Sequence, residues 1–580
     1  MSWFIGYIGE NPIAFKNAFH GKTKSKVNSY FENNLCLFYD DNKNCSHNLN
    51  SPVTNNNRFI VCGIGISSGE KREIFYEKDW QGLLDKEERI LKADGHFAGV
   101  SVLDSQLFLF TDPIGLRDIY YIKPEHSGII FSTRIDLLLK FVKAEIDLET
   151  FGGRWLLYNQ LSQKSIFKNI ERIVCGSSIV VDRKTMEITK KHFNWLPEIS
   201  DDKRSEFDFE NDFASLSNIF AENINGKSLM LSGGLDSRVL LSLLIKNNAD
   251  PFSVYTFGND HQPDLRIAKN ITSHFKLPHS YINPDDFYPE EFWEELKAYS
   301  TQTIVNNSVL SFLHLKSYEA LKNINGIFID GGFGEIWRRE FLYKLSLKGK
   351  DKIAARDSKS ILPYLKLYRS GIFNPDIVAK MENGCVQQIE EFFESLPHPE
   401  QIGIDNWLDL LAVKTRMPNY YLHEQSLHDS LITAIMPFTQ QSLLNNLFRV
   451  NLNERKNGKL FRSMISRNNK ALTKFPLVKG DAVLPFNVTS FQSRFISLLL
   501  KKAGAGNKNR NSRLEKLKGL KSLIRELLND KSIKVNEMYN AEKMKEFERL
   551  IDKNEGNECL WYEIDWWLAF ESFRQTINLD

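Results

Sequence analysis

The stretch Ser228-Leu229-Met230-Leu231-Ser232-Gly233-Gly234-Leu235-Asp236-Ser237 changes character twice. Leu229 to Leu231 is an apolar run of strand length, Gly233 and Gly234 break it, and Arg238 to Ile245 carries the apolar spacing of a helix. Glycines lack a Cβ, so the N–H groups of such a turn can swing toward an anion, and the helix that follows adds its positive end to the same point. Ser232 and Ser237 add hydroxyl donors, and Asp236 adds a carboxylate able to hold Mg²⁺ against phosphate oxygens. The stretch therefore reads as a pyrophosphate cradle at a strand-to-helix junction. The bland alternative is a plain Gly-Gly turn.

Downstream of the cradle, strands and helices alternate. Phe252–Phe257, His279–Ile282 and Ile327–Asp330 read as strands, with a helix over Asp264–Phe275. This pattern predicts a parallel sheet with helices on its faces, followed beyond Asp330 by a mostly helical extension. Upstream, Phe59–Ile66, Gly99–Leu103, Leu107–Thr111, Ile119–Ile122 and Gly128–Ser132 are short apolar runs broken by turns, and Ser178–Asp182 with Ile188–Phe193 reads as a late hairpin. The polar, acidic stretch Glu198–Glu210 reads as a linker, giving two domains over 1–200 and 205–580.

Composition narrows the class. A chain of 580 residues exceeds one ordinary core, and 42% hydrophobic with 26% charged residues fits a folded soluble protein. The net charge of +2 gives no global pull toward nucleic acid or an anionic membrane, and the basic stretch Asn507–Lys534 reads as a solvated helical face. Cys36, Cys45, Cys62, Cys175, Cys385 and Cys559 form no C-x-x-C pair, which argues against a zinc ribbon or a disulfide framework and for a reducing cytoplasm. Met1 to Glu10 has no signal-peptide pattern, and no window has the roughly 18 apolar residues of a membrane span.

Ser-Gly-Gly-Leu-Asp-Ser resembles the PP-loop of ATP pyrophosphatases, and further segments in order resemble the asparagine synthetase family. These are Tyr255-Thr256-Phe257-Gly258, the Pro263-Asp264-led helix, His279, Asp94-Gly95-His96-Phe97-Ala98, and Leu107 through Asp112, Gly115 and Arg117 to Tyr120-Tyr121. The resemblance spans 1 to about 340 and 415 to 486. It implies an N-terminal Ntn-type αββα glutaminase-like sandwich and a C-terminal parallel-sheet domain of the adenine-nucleotide α-hydrolase type. It also implies an ATP site from Leu231 to Ser237, with Phe257, Gly258 and Gly332 contributing.

The departures are local. Ser2 stands where the family's nucleophilic cysteine belongs, and the family's glutamine-positioning segments have no counterpart beyond a faint echo at Ser68-Gly69-Glu70. A serine hydroxyl needs a base that a cysteine hardly does. An N-terminal amine serves as that base for Ser or Thr in other enzymes, so a working Ser2 stays open, but with both departures in one site the resemblance favours an inactive glutaminase. In Ile329-Asp330-Gly331-Gly332-Phe333-Gly334-Glu335, Gly334 takes the place of the family's metal-binding aspartate and Gly331 that of an earlier acidic residue; Asp330, one position away, is the substitute ligand beside Asp236. Glu335 is kept. Arg416 through Phe438 resembles a helical segment ending E-x-R-x-P-F, with Thr433 for the glutamate and Ile435 for the arginine. Lys479, in Lys479-Gly480-Asp481-Ala482-Val483-Leu484-Pro485, matches the family's catalytic lysine loop.

The resemblance implies ATP and Mg²⁺ as cofactors and an AMP- and pyrophosphate-forming carbon–nitrogen ligase joining a small-molecule or peptide carboxylate to an amine or ammonia. Two alternatives stay open: a glutamine-hydrolysing asparagine synthetase, and a non-catalytic ATP-binding scaffold. No nucleic-acid partner is expected, and a homodimer or a pathway partner is compatible with the chain.

Overall fold

The computed structural model describes residues 2–578 apart from 23–26, 41, 43, 50–57, 69–71, 85–86, 125–127, 200–210, 212–225, 248–251, 287, 289, 323, 325, 368, 480–481, 490–491, 494, 497–498, 500–514 and 554–557. The Ser68-Gly69-Glu70 echo, most of the Glu198–Glu210 linker, Gly480, Asp481 and the start of the Asn507–Lys534 stretch lie wholly or partly outside the described residues.

Among the described residues of the first 192, twelve strands build two antiparallel sheets: β1 (Phe4–Ile8), β2 (Asn28–Glu32), β3 (Leu35–Tyr39), β4 (Cys45–Asn48), β5 (Arg58–Ile66), β6 (Asp94–Val102), β7 (Gln106–Thr111), β8 (Tyr120–Ile122), β9 (Ile129–Ser132), β10 (Glu171–Arg172), β11 (Ser177–Asp182) and β12 (Ile188–His192). One sheet runs β10-β8-β9-β1-β3-β2 and the other β12-β11-β7-β6-β5-β4. Their side chains alternate between two apolar environments. Phe4, Ile8, Leu35 and Leu37 meet Ile60, Cys62, Ala98 and Val100 between the sheets. On the outside, Tyr7 stacks on Phe15 (centroids 5.3 Å) and Phe38 on Phe19 (4.4 Å), both from the helix Pro12–Lys22. Phe59, Val61, Phe97 and Phe110 pack on Trp80 and Leu84 of the helix Glu77–Leu84. The layers are thus helix, sheet, sheet, helix, as the resemblance implied. The sequence reading passes over β1 to β4. In β1 and β3 both faces are buried, so they show no apolar–polar alternation.

The second sheet system is parallel: β13 (Lys227–Met230), β14 (Ser253–Phe257), β15 (His279–Ile282), β16 (Ile327–Ile329) and β17 (Thr433–Ile435), in the order β15-β14-β13-β16-β17. The chain winds one way from β13 to β15 and the other way from β16 to β17. The reversal opens a crevice between the carboxyl ends of β13 and β16, the usual ligand position in such sheets. The helices Asp236–Lys246 and Pro263–Phe275 follow β13 and β14, close to the predicted bounds.

One expectation is corrected here. Thr433 and Ile435 do not continue a helix. The helix Leu422–Leu431 ends, and Thr433–Ile435 pairs along β16 as an edge strand; Thr433 Oγ1 donates to Asn44 Oδ1 at 2.8 Å. The extension beyond β16 is otherwise helical, with a small hairpin of β18 (Leu477–Lys479) and β19 (Ala482–Leu484). The late helix Glu558–Thr576 packs Phe570 against Phe151 and Trp155 of the first part of the chain and bonds Ser572 to Ser300 of the second. No described helix is long and apolar enough to cross a membrane.

Candidate functional site

Leu231 directly follows the central strand β13. Its N–H donates to Tyr255 O at 2.9 Å, and its carbonyl accepts from Thr256 Oγ1 at 2.8 Å. The loop that follows is held by its own groups. Ser232 N–H donates to Ser237 Oγ (3.0 Å), Gly234 N–H to Ser232 Oγ (3.2 Å) and Gly233 N–H to Asp264 Oδ1 (2.9 Å). The N–H groups of Gly233 and Gly234 are therefore engaged within the protein. An anion takes them only in exchange for Asp264 and Ser232. Leu235 is buried, and the helix begins at Asp236.

The β18–β19 hairpin lies against this loop. Val478 N–H donates to Gly233 O at 2.9 Å, and a Cβ on Gly233 would sit 2.3 Å from Val478 Cγ2, so only glycine allows the approach. Arg238, fully buried, clamps the chain leading into the hairpin through Phe475 O (2.8 Å) and Pro476 O (2.7 Å).

A chain of charges links the hairpin to the loop. Asp236 Oδ1 lies 2.7 Å from Arg338 Nε and its Oδ2 3.0 Å from Arg338 Nη2. Arg338 Nη1 then meets Glu340 Oε2 at 2.7 Å, and Lys479 Nζ donates to Glu340 Oε1 at 2.8 Å. Asp236, Arg338, Glu340 and Lys479 thus form one network. Burial pushes the Asp236 carboxyl up to about 6 with Arg338 opposing; burial also works against the Arg338 charge, but Asp236 and Glu340 hold its pKa above the ordinary value. Lys474, on the turn Lys470–Lys474, has no place in this network.

For Mg²⁺ the fit is partial. Asp236 offers a carboxylate at the head of the helix, but both oxygens face Arg338. A Cβ on Gly334 would fall 2.2 Å from Asp236 Cγ and one on Gly331 3.1 Å from Ser237 N, so neither position has room for a second carboxylate. Asp236 would hold a phosphate-borne ion only in exchange for Arg338.

The end of β16 faces another way. Asp330 is buried, its Oδ1 accepts from Gly332 N–H at 2.9 Å, and burial pushes its pKa up to about 6. Its carboxylate lies with Glu424 and His428 of the helix Leu422–Leu431, one ligand atom of each within 4.8 Å of the others. Burial and the Asp330 charge push Glu424 up to about 8, while burial drops His428 to about 3, so that it is neutral. The sequence reading named neither. Their spacing of four residues was the only local signal. Glu335 turns elsewhere, accepting from Arg416 Nε (2.9 Å) and Tyr421 Oη (2.9 Å).

Of these groups, Leu231, Ser232, Asp264 and Glu424 line a cavity of about 690 Å³. Leu231, Ser232, Thr256, Phe257, Gln262 and Asp264 form its loop side, Glu424 and Tyr420 a second wall, and Trp561, Tyr562 and Trp566 of the late helix a third. Phe257 stacks on Tyr318 (4.4 Å), and Gly258, at φ +148°, donates its N–H to Ile282 O at 2.8 Å. Gly332 is hemmed in by Met436, whose Sδ lies 2.9 Å from where a Cβ would sit.

Ser2 does not line this cavity. It is fully buried, and Arg117 donates to its hydroxyl. Arg117 also lies 2.9 Å from Asp429 Oδ2, while Asp429 Oδ1 meets His96 Nε2 at 3.0 Å.

Comparison with known proteins now bears on this geometry. Residues 227–324 match the family model described as asparagine synthase, and this segment belongs to that family. The segment begins on β13 and ends short of β16, so it contains Ser232 to Ser237. Two solved structures are similar over about half the chain. One is described as the allosteric regulatory enzyme of purine biosynthesis (9% identity, 49% of this chain, 65% of that one, TM-score 0.21). The other is a glutamine phosphoribosylpyrophosphate amidotransferase from B. subtilis (8% identity, 48% and 65%, TM-score 0.22). The match spans about 65% of the length of those chains. No curated protein matches the sequence.

Proposed function

We propose that this chain is an ATP-dependent amide ligase that activates a carboxylate as its acyl-adenylate and passes it to an amine or ammonia. The observation that supports this best is position. The Ser232–Ser237 loop sits at the carboxyl end of the central parallel strand, beside the reversal of strand order, and its first residue, Ser232, lines the 690 Å³ cavity. The family match over 227–324 covers the same loop.

In this reading Leu231 and Phe257-Gly258 border the adenine side, and Ser232 to Ser237 with Gly332 border the phosphates. ATP supplies the activating phosphate, and Asp236 would hold its Mg²⁺. The protein's own part is to bind and orient. The start of the helix Asp236–Lys246 lends its positive end to the phosphates. Arg338 and Lys479 add two cations on the same side. Arg338 is released from Asp236 when phosphate arrives, and Lys479 neutralises charge that grows as the α–β bond breaks. Glu335 is a positioning residue that holds Arg416 and Tyr421, on either side of the cavity-lining Tyr420 in sequence. Tyr420 and the aromatic wall from the late helix exclude water from the adenylate and suit a substrate with an apolar body. This reading gives Ser2 no catalytic part: it is fully buried, and its hydroxyl is held by the Arg117 guanidinium.

The test is formation of AMP and pyrophosphate from ATP with a panel of carboxylates and amines. Wild type should release pyrophosphate, and Asp236→Asn should lose at least about a hundredfold of that rate while keeping its circular dichroism spectrum. Equal release by both would sink the assignment.

A further inference from the structure

The end of β16 and the helix Leu422–Leu431 meet in a way the ligase reading does not use. Glu424 and His428 are four residues apart on that helix and so share a face, and Asp330 follows β16 directly opposite them. His428 is completely buried, and neither of its ring nitrogens has a hydrogen-bond partner among the described residues. A neutral imidazole left so in the interior loses the hydrogen bonds it makes to water in the unfolded chain and gains none in return. Its ring is fixed by stacking on the fully buried Tyr318 at 4.2 Å and 25°, so it cannot turn away to seek solvent. The carboxylates of Asp330 and Glu424 stand beside it, and the nearby Arg416 is bound to Glu335. Acceptors converge here, and what completes them is a cation.

We propose that Asp330, Glu424 and His428 form a binding site for one divalent transition cation of the zinc–manganese class. An imidazole with two carboxylates is a donor set for such ions, whereas Mg²⁺ prefers oxygen alone and a near-octahedral shell of waters. Bonds of about 2.1 Å set ligand atoms roughly 3.4 Å apart around a tetrahedral ion. The separations of up to 4.8 Å close to that value with side-chain torsions of the two carboxylates, the imidazole staying on Tyr318. Three protein ligands leave a position open, on the side where Glu424 meets the cavity. An oxygen or nitrogen of the substrate would complete the shell. The site is separate from Asp236 and needs no ATP, so it stands or falls apart from the ligase reading.

The full-length protein, stripped with chelator and free of ATP, is dialysed against micromolar Zn²⁺ and analysed for metal; Co²⁺ gives a parallel visible absorption. One ion per chain is expected, not displaced by millimolar Mg²⁺. Glu424→Gln and His428→Gln should each weaken uptake at least tenfold, while His398→Gln, on a half-exposed remote histidine, leaves it unchanged. Thermal melting identifies a variant that fails to fold, and Asp330→Asn then replaces it. Uptake of no ion by wild type, or equal uptake by wild type and the folded variants, overturns the site. Pyrophosphate release by wild type in the same preparation would show that the ligase reading survives that outcome.

Discussion

Two serines head two sites in this chain, and their surroundings differ in one respect that governs everything else. Ser232 opens on a cavity of about 690 Å³. Ser2 is wholly buried, with Arg117 on its hydroxyl and Asp429 behind that arginine. Both lie near charged side chains, but those around Ser2 are out of solvent, whereas Asp236 and Arg338 beside the Ser232 loop are partly exposed. At Ser2 a guanidinium sits on the hydroxyl, and the charges around it tie His96 and Arg117 to the helix Leu422–Leu431. Chemistry requires that a site be unfilled as much as that it be polar. A fold can thus keep the outline of an active site while converting its contents into structure.

The comparison is most sharply tested at Asp429. It lies on the helix Leu422–Leu431 and ties His96 of β6 and Arg117 across to that helix, with all three side chains essentially out of solvent. Removing one charge of such a group leaves the others uncompensated, a cost of about 3–5 kcal/mol. Asp429→Asn should therefore lower the denaturation midpoint strongly and yet not expose a working site at Ser2. A variant as stable as wild type in urea titration would mean that the charges at Ser2 are not structural.

At the open site the expected effects are on rate. Lys479→Ala should slow turnover about a hundredfold and change ATP affinity little, the pattern of an interaction made chiefly in the transition state. Its present partner, Glu340, marks a resting position 2.8 Å away from which it must be released. Lys474→Ala should change neither parameter. Single-turnover kinetics with equilibrium ATP binding separates the two, and a reversed result would place the working lysine at 474. A smaller effect belongs to Gly334→Asp, which restores the carboxylate expected from the resemblance. A Cβ there meets Asp236 Cγ at 2.2 Å, so the variant should lose about 1–3 kcal/mol of stability and gain no activity. An active Gly334→Asp enzyme would mean that Asp236 and Arg338 part readily.

The loop at Ser232 was legible because its signal is local: an apolar strand, two glycines and a helix within one short stretch. The parallel strands followed from alternation with helices for the same reason. β17 was missed because three residues after a helix carry no period, and their pairing with β16 is made by a partner some hundred residues away. Arg338 and Glu340 escaped notice because their role exists only once Asp236 and Lys479 are folded onto either side of them. His428 sits in a helix beside Glu424 at an unremarkable spacing, and only the arrival of Asp330 from β16 gives it meaning. Pattern reports what neighbours in sequence can form together; it is silent on charges that meet across the fold.

The smallest expected effect is also the most discriminating. Ser2→Cys restores the residue type that the resemblance places at this position, and a thiol needs less activation than a hydroxyl. If sequence identity alone had silenced the site, this variant should release glutamate from glutamine. If the filled space is what silences it, glutamate release should stay at the level of Ser2→Ala, with no measurable change from wild type. The geometry supports the second outcome. Residue 2 has no exposed surface, and Arg117 is held in place by Asp429, so glutamine would have to displace a buried ion pair before reaching the sulfur. Glutamate production by Ser2→Cys that disappears in Ser2→Ala would show that the pocket opens after all, and that the contrast between the two serines lies in one atom and not in their surroundings.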